Sequence, residues 1–238
     1  MQLTRKALVS GLFIAGVCTA GLANASDLMG VMNSASVYGN LSGITNSGGN
    51  SSGGLGVKGS IMTCQGWLLS AEYHHDFSSL IQSPYQNTGG SMTGINVKGG
   101  YLFPFSSNFR AGAFVEYQYT HFGIDFNTPK VQGASLSNSN NALGGGVMAA
   151  YGAGPLVLTG DVAYLGGISA TDTLRGNGEK FTSSTSSGSA NAFELGLQAN
   201  YQISGPWYAL VGFKYDKYMN GGGNLDLLQG NVGLGYSF

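Results

Sequence analysis

Apolar and polar residues alternate with a period of two through long stretches of this chain. Phe109, Ala111, Ala113, Val115, Tyr117 and Tyr119 share one face of a segment; Arg110, Gly112, Phe114, Glu116, Gln118 and Thr120 share the other. Phe193, Leu195, Leu197, Ala199 and Tyr201 alternate with Glu194, Gly196, Gln198, Asn200 and Gln202. At the end of the chain Val232, Leu234, Tyr236 and Phe238 alternate with Asn231, Gly233, Gly235 and Ser237. Successive side chains of an extended strand point to opposite faces, so each stretch predicts a strand with one oily and one polar side. The pattern predicts ten strands, at 34–43, 54–62, 67–77, 93–103, 109–121, 142–152, 155–167, 191–203, 207–219 and 226–238. Most are near the length that a tilted strand needs to cross a bilayer. Past the first 25 residues no run of 18 apolar residues occurs, which excludes transmembrane helices.

The predicted connections alternate between short and long. Thr63 to Gly66, Pro104 to Asn108, Ala153-Gly154 and Ser204 to Pro206 read as tight turns. Residues 44–53, 78–92, 122–141 and 168–190 read as long loops rich in Gly, Ser, Asn and Thr, with a shorter loop at 220–225. This predicts an all-β, up-and-down antiparallel barrel of the transmembrane kind, with short turns inside the cell envelope and long loops outside. Both termini then fall on the short-turn side, in the periplasm. Eight strands starting at Trp67 would satisfy the same parity, because Ala35 to Gly43 carries no charge and little bulk.

Charge placement sets the faces. Lys58, Glu72, Asp76, Lys98, Arg110, Glu116, Asp161, Glu194, Lys214 and Asp216 all fall on the polar face of their strands. A water-soluble barrel would put its charges outside; here they must line the lumen while the oily set meets lipid. A Lys or Arg facing mid-membrane lipid would cost roughly 2–4 kcal/mol. Ten strands about 4.8 Å apart and tilted about 40° give a backbone radius of roughly 10 Å, which long side chains largely fill. The charges therefore read as a paired network, or as the lining of a thin water path, with inward glycines such as Gly56, Gly100, Gly144, Gly146 and Gly233 leaving local gaps.

Aromatic positions add two girdles of the kind that mark membrane interfaces. Trp67, Tyr101, Phe103, Phe109, Tyr151, Tyr201, Trp207, Tyr236 and Phe238 gather at the short-turn ends. Tyr73, Phe77, Tyr117, Tyr119, Tyr164, Phe193 and Tyr215 gather toward the long loops.

The start of the chain reads as an export signal. Arg5 and Lys6 precede an uncharged, mostly apolar run from Ala7 to Val17, and Ala23-Asn24-Ala25 is a small-x-small cleavage pattern. Cleavage between Ala25 and Ser26 would leave a barrel of residues 26–238 with 8 basic and 11 acidic residues, a net charge of −3. No basic patch argues for nucleic acid. Loss of Cys18 would leave only Cys64, so no intrachain disulfide is expected. Charged residues make up 9% of the chain, against about a quarter in ordinary globular proteins, so much of the surface is not made for water.

The closing Gly-Leu-Gly-Tyr-Ser-Phe, with Tyr236 and the terminal Phe238 on the oily face, resembles the C-terminal signature of bacterial outer-membrane proteins. In size and loop layout the chain resembles small barrels of the OmpX, OmpW and opacity-protein kind, with no motif selecting one of them. The resemblance implies a home in the outer membrane among its lipids and lipopolysaccharide, and insertion by the barrel-assembly machinery through Phe238. Expected function is non-enzymatic, with polar loops presented for adhesion or envelope integrity and able to meet an extracellular ligand. The alternative is a narrow passive channel. A third reading is a rim hydrolase at Glu72-Tyr73-His74-His75-Asp76, since a His beside carboxylates can serve as a general base. Omptin proteases carry acidic and histidine groups at their outer rim, but their paired aspartates and Asp-x-His on separate strands are not found here. No catalytic residue, metal or cofactor is expected; His121, the third histidine, need not lie near the other two.

Overall fold

The computed structural model describes residues 28–44, 51–77, 88–128, 131–176, 179–185, 191–220 and 223–238. The expected signal peptide and its cleavage point between Ala25 and Ser26 lie outside the described residues. A short helix, α1 (Leu28–Met32), leads into β1 (Ser34–Ile44), β2 (Ser51–Met62), β3 (Trp67–Phe77), β4 (Thr88–Pro104), β5 (Phe109–Thr128) and β6 (Val131–Ala153). Then follow β7 (Leu156–Gly176), β8 (Glu179–Thr185), β9 (Asn191–Ser204), β10 (Trp207–Asn220) and β11 (Gly223–Ser237). Every strand pairs antiparallel with its neighbours, β7 passes to β9 within the wall, and β1 pairs with β11 from Ser34↔Ser237 to Ile44↔Leu227. The wall is thus a closed ring of ten strands, with β8 standing outside it. Closure leaves no wall edge whose backbone groups would sit unpaired in hydrocarbon.

The eight-strand alternative is overturned, because β1 and β2 are full members of the ring. Val37 pairs with both Val57 and Leu234, and Val37, Leu41, Leu55 and Val57 are exposed on the exterior. Small residues between them hide this alternation in the sequence without removing it. Tight turns close where they are expected, with Gly66, Gly154 and Gly205 at positive φ.

The expected loops 122–141 and 168–190 need correction. β5 and β6 stay paired far above residue 121, up to Thr128↔Val131. β7 continues past an extra residue, Ile168, between the pairs Ala142↔Gly167 and Asn141↔Ser169. It then pairs with β8 from Ala170↔Thr185 to Gly176↔Glu179. β4 likewise begins at Thr88 rather than 93, and β11 at Gly223 rather than 226. Strand pairing needs only backbone groups, so it survives where water bathes both faces and alternation carries no advantage. There a Ser, Asn and Gly composition reads as loop although the backbone is sheet.

Helix α1 is absent from the sequence expectation. Leu28, Val31 and Met32 are buried against Met62, Leu68, Leu102, Ala150 and Val157, all at the short-turn end of the lumen. Asn33 fixes this plug to the wall: its Oδ1 accepts the Met62 N–H at 2.8 Å, and its carbonyl accepts the Phe238 N–H at 3.0 Å. Five residues are too few for a helical period to be read, and they fold because the barrel mouth buries three of their side chains.

Candidate functional site

Outside the wall, Val115, Val147, Val211, Leu197 and Val232 are more than half exposed. A band of this kind is far larger than the apolar patches of soluble proteins, so it is built to meet hydrocarbon. At its short-turn margin Trp67 packs edge-on to Tyr101 at 5.2 Å, Tyr101 to Phe103 at 4.7 Å, and Trp207 to Tyr236 at 5.2 Å. Phe109, Tyr151, Tyr201 and Phe238 are exposed on the same margin. Toward the other margin Tyr73, Phe77, Tyr117, Tyr164 and Phe193 also face outward and are exposed.

Inside, an ion-paired girdle crosses the lumen. Lys98 Nζ lies 2.7 Å from Asp161, 2.7 Å from Glu194 and 3.5 Å from Glu116. Lys214 Nζ lies 2.7 Å from the other Glu194 oxygen and 3.5 Å from Asp216. Glu194 therefore links two lysines from β4 and β10. The Lys98 ammonium also sits 5.0 Å over the Phe114 ring. These groups meet because their strands present them inward at one height: Lys98 is opposite Glu116, and Glu194 opposite Asp216.

The remaining expected lumen residues bond to neutral partners outside the girdle or stand apart from it. Lys58 donates to Gln198 at 2.9 Å, and Glu72 accepts from the Tyr38 hydroxyl. Asp76 is fully buried; its carboxylate accepts from Asn40 at 2.5 Å, Ser42 at 2.6 Å and Ser52 at 3.3 Å. Arg110 stands apart, opposite Pro104 and Ala150 at the short-turn end, with a buried Nη1 that has no hydrogen-bond partner among the described residues. Tyr38, Asn40, Ser42 and Asn96, which donates to Glu116, were not foreseen. For Tyr38, Asn40 and Ser42 the signal was available in the inward parity of Ser36, Tyr38, Asn40 and Ser42 along β1, and for Asn96 in its alternation with Ile95 and Val97 along β4.

The inward glycines do not leave gaps. Tyr38 lies opposite Gly56 and Gly233, Phe114 opposite Gly100 and Gly146, and Tyr208 opposite Gly235. A methyl group on Gly56 or Gly235 would strike the facing tyrosine ring, and one on Gly146 would strike Phe114. Gly56, Gly146 and Gly235 are each a seat for a ring that fills the lumen, while Gly100, Gly144 and Gly233 lie close against the backbone of the facing strand. A cavity of about 90 Å³ is left between α1 and the girdle, lined by Ser36, Ser70, Glu72, Lys98, Asp161 and Asn200 among others. Above the girdle a gap of only about 10 Å³ remains beside His74, Gln118 and Asp216.

The histidines separate by face. His74 points inward against Gly94. His75 points outward, where its Nδ1 meets Thr93 Oγ1 at 2.7 Å and its ring meets Phe77 at 4.8 Å. His121 also faces outward, with Nδ1 2.8 Å from Ser139 Oγ. Among the described residues no group of three His, Cys, Asp or Glu side chains is placed to hold a metal ion.

No protein-family model matches the chain, and no curated protein does. Among solved structures, the outer membrane protease OmpT from Escherichia coli matches with a TM-score of 0.59 at 11% identity, over 87% of this chain and 94% of that one. The translocator domain of the autotransporter NalP from Neisseria meningitidis matches with a TM-score of 0.50 at 14% identity, over 98% and 96%. At these identities the likeness is one of fold, and the fold is that of a small bacterial outer-membrane β-barrel.

Proposed function

We propose that this chain is a non-enzymatic protein of the bacterial outer membrane, whose sealed barrel holds long polar hairpins at the cell surface. The observation that carries this reading is the doubly blocked lumen: α1 fills one end, and the Lys98–Glu194–Lys214 bridge crosses the middle. With the lumen blocked at these two levels among the described residues, the hairpins β5–β6 and β7–β8 are the parts positioned to meet partners, as surface segments commonly do. The contrast between tight turns and long hairpins supports periplasmic termini and extracellular hairpins. The exposed rings of Tyr236 and Phe238, on the exterior at the end of β11, support recognition of this strand by the barrel-assembly machinery.

Proteolysis, the activity named for OmpT, is not carried over. A rim hydrolase needs an accessible histidine and carboxylate. Here Asp76 has no exposed surface, its carboxylate is committed to three neutral donors, and His74 lies inside the wall.

A narrow cation-selective channel is the second reading, and the charge count in the girdle favours it. Glu116, Asp161, Glu194 and Asp216 outnumber Lys98 and Lys214 there. Planar-bilayer recording decides between the two. Absence of discrete openings supports the sealed scaffold. Openings that are cation-selective and altered by Glu194→Ala support the channel. Protease mapping on intact cells tests the orientation, with cleavage expected within the β5–β6 and β7–β8 hairpins only.

A further inference from the structure

The two outward histidines share one row of the wall. His75 pairs with Thr93, Thr93 with His121, His121 with Ser139, and Ser139 with Thr171. The row therefore runs across β3 to β7 at one height. Two residues closer to the short turns, the same strands β3 and β4 carry Tyr73 and Ile95, both exposed on the oily exterior. Two residues farther away the exterior row reads Phe77, Ser91, Gly123, Ser137 and Thr173. The histidines thus sit where hydrocarbon gives way to headgroups.

Their rings are held for contact with something outside the wall. A hydroxyl from the next strand engages Nδ1 of each imidazole, at 2.7 Å for His75 and 2.8 Å for His121. This turns Nε2, on the far side of the ring, away from that hydroxyl. One strand separates the two imidazoles, so they stand about 10 Å apart.

A groove starts directly at His75. It runs along the exterior of β1, β2 and β11, bordered by Leu55, Val57, Tyr73, Phe77 and Leu234, and it encloses about 690 Å³. Its floor is bare backbone at Gly39, where an added methyl would meet only the Gly54 carbonyl, at 3.9 Å. The same trough continues toward Trp207 and Tyr236 past Ala35, Gly59 and Ala71.

We propose that the His75–His121 row and this groove bind a phosphorylated glycolipid of the outer leaflet. Phosphate oxygens accept from the imidazole Nε2 groups, and an acyl chain lies on the Gly39 floor. An imidazole N–H donates directly to a phosphate oxygen, and the charge on the phosphate strengthens that hydrogen bond. Two imidazoles two strands apart fit a headgroup bearing two phosphates better than one bearing a single phosphate. The hydroxyls of Thr93 and Ser139 act as positioning groups. This inference rests on the outer-membrane reading above.

The test uses the signal-free barrel refolded into phosphatidylcholine nanodiscs. A heat-dependent gel shift first establishes that it is folded in the bilayer; failure there would sink the membrane reading itself. Native mass spectrometry then measures retention of diphosphorylated lipid A against its fully dephosphorylated form. The wild type should retain the phosphorylated lipid about tenfold better, the size expected for a charge-assisted hydrogen bond. The His75→Gln/His121→Gln variant should lose that preference, and His75→Lys/His121→Lys should restore it. Gly39→Leu should weaken retention of both lipids. Equal retention by the folded wild type, or an unchanged preference in the double Gln variant, would overturn the site. Displacement of the lipid by millimolar inorganic phosphate would show a site for free anions and would overturn the lipid assignment.

Discussion

The Cβ of Leu28 stands 3.7 Å from the position that a Cβ would occupy on Gly152. That separation lies within the range spanned by a disulfide, and it joins the plug helix to the end of β6. In a Cys64→Ser background, Leu28→Cys/Gly152→Cys should crosslink on oxidation, read as a mobility change that reductant reverses. Oxidised protein should pass no current in a planar bilayer. Deleting residues 26–32 should produce openings if the helix is the main seal; if the deletion stays silent, the girdle alone is sufficient.

Glu194 is the residue on which the girdle turns, since it is almost fully buried and holds both Lys98 and Lys214 at 2.7 Å. Removing one member of a buried charge network leaves its partners unpaired and costs about 3–5 kcal/mol. Glu194→Ala should lower unfolding stability by that order, measured by urea titration in lipid vesicles. Combined with Lys98→Ala it should cost less than the two single changes added together, because one unpaired charge is removed along with the other.

Glycines of the wall divide into two kinds. Gly146→Ala would press a methyl onto the Val162 carbonyl and the Phe114 ring, and overpacking of this kind costs about 1–3 kcal/mol. Gly59, Gly99 and Gly230 have nothing within 4 Å of an added methyl. Alanine there should be neutral or should stabilise by about 0.4–1 kcal/mol through the unfolded chain. Unfolding titrations of the four variants in vesicles check the contrast.

Val115 is 65% exposed on the exterior, midway along the membrane-facing part of β5. Val115→Lys should destabilise the folded barrel in vesicles by about 2–4 kcal/mol. In a detergent micelle, which deforms around a charge, the loss should be smaller. An equal tolerance of Lys in both settings would contradict a hydrocarbon-facing position for this strand.

The wall was legible because hydrocarbon enforces alternation. Phe109 to Tyr119 can be read as a strand, with its faces assigned, from side-chain type alone. Above the apolar band that constraint ends, so the upper parts of β5, β6 and β7, and all of β8, carried no signal stronger than a loop composition. The lumen was half legible. Charge parity placed Lys98, Glu116, Asp161, Glu194, Lys214 and Asp216 inside, but which pairs meet depends on side-chain reach across the ring, which no local pattern encodes. The inward glycines misled because a missing side chain looks like space until the ring from the facing strand, such as Tyr38 beside Gly56 or Phe114 beside Gly146, is seen to occupy it. His75 and His121 are 46 positions apart in sequence, and only strand register brings them to one height.

Pairing of β1 with β11 couples the first strand to the last across nearly the full length of the polypeptide. The cylinder therefore has a seam that no earlier event can zip shut. Until β11 is made, the newly made chain carries two exposed borders and a long, costly loop to close. Assembly is then an all-or-nothing step that waits on β11, and a product truncated before Gly223 would be a substrate for degradation rather than a smaller barrel.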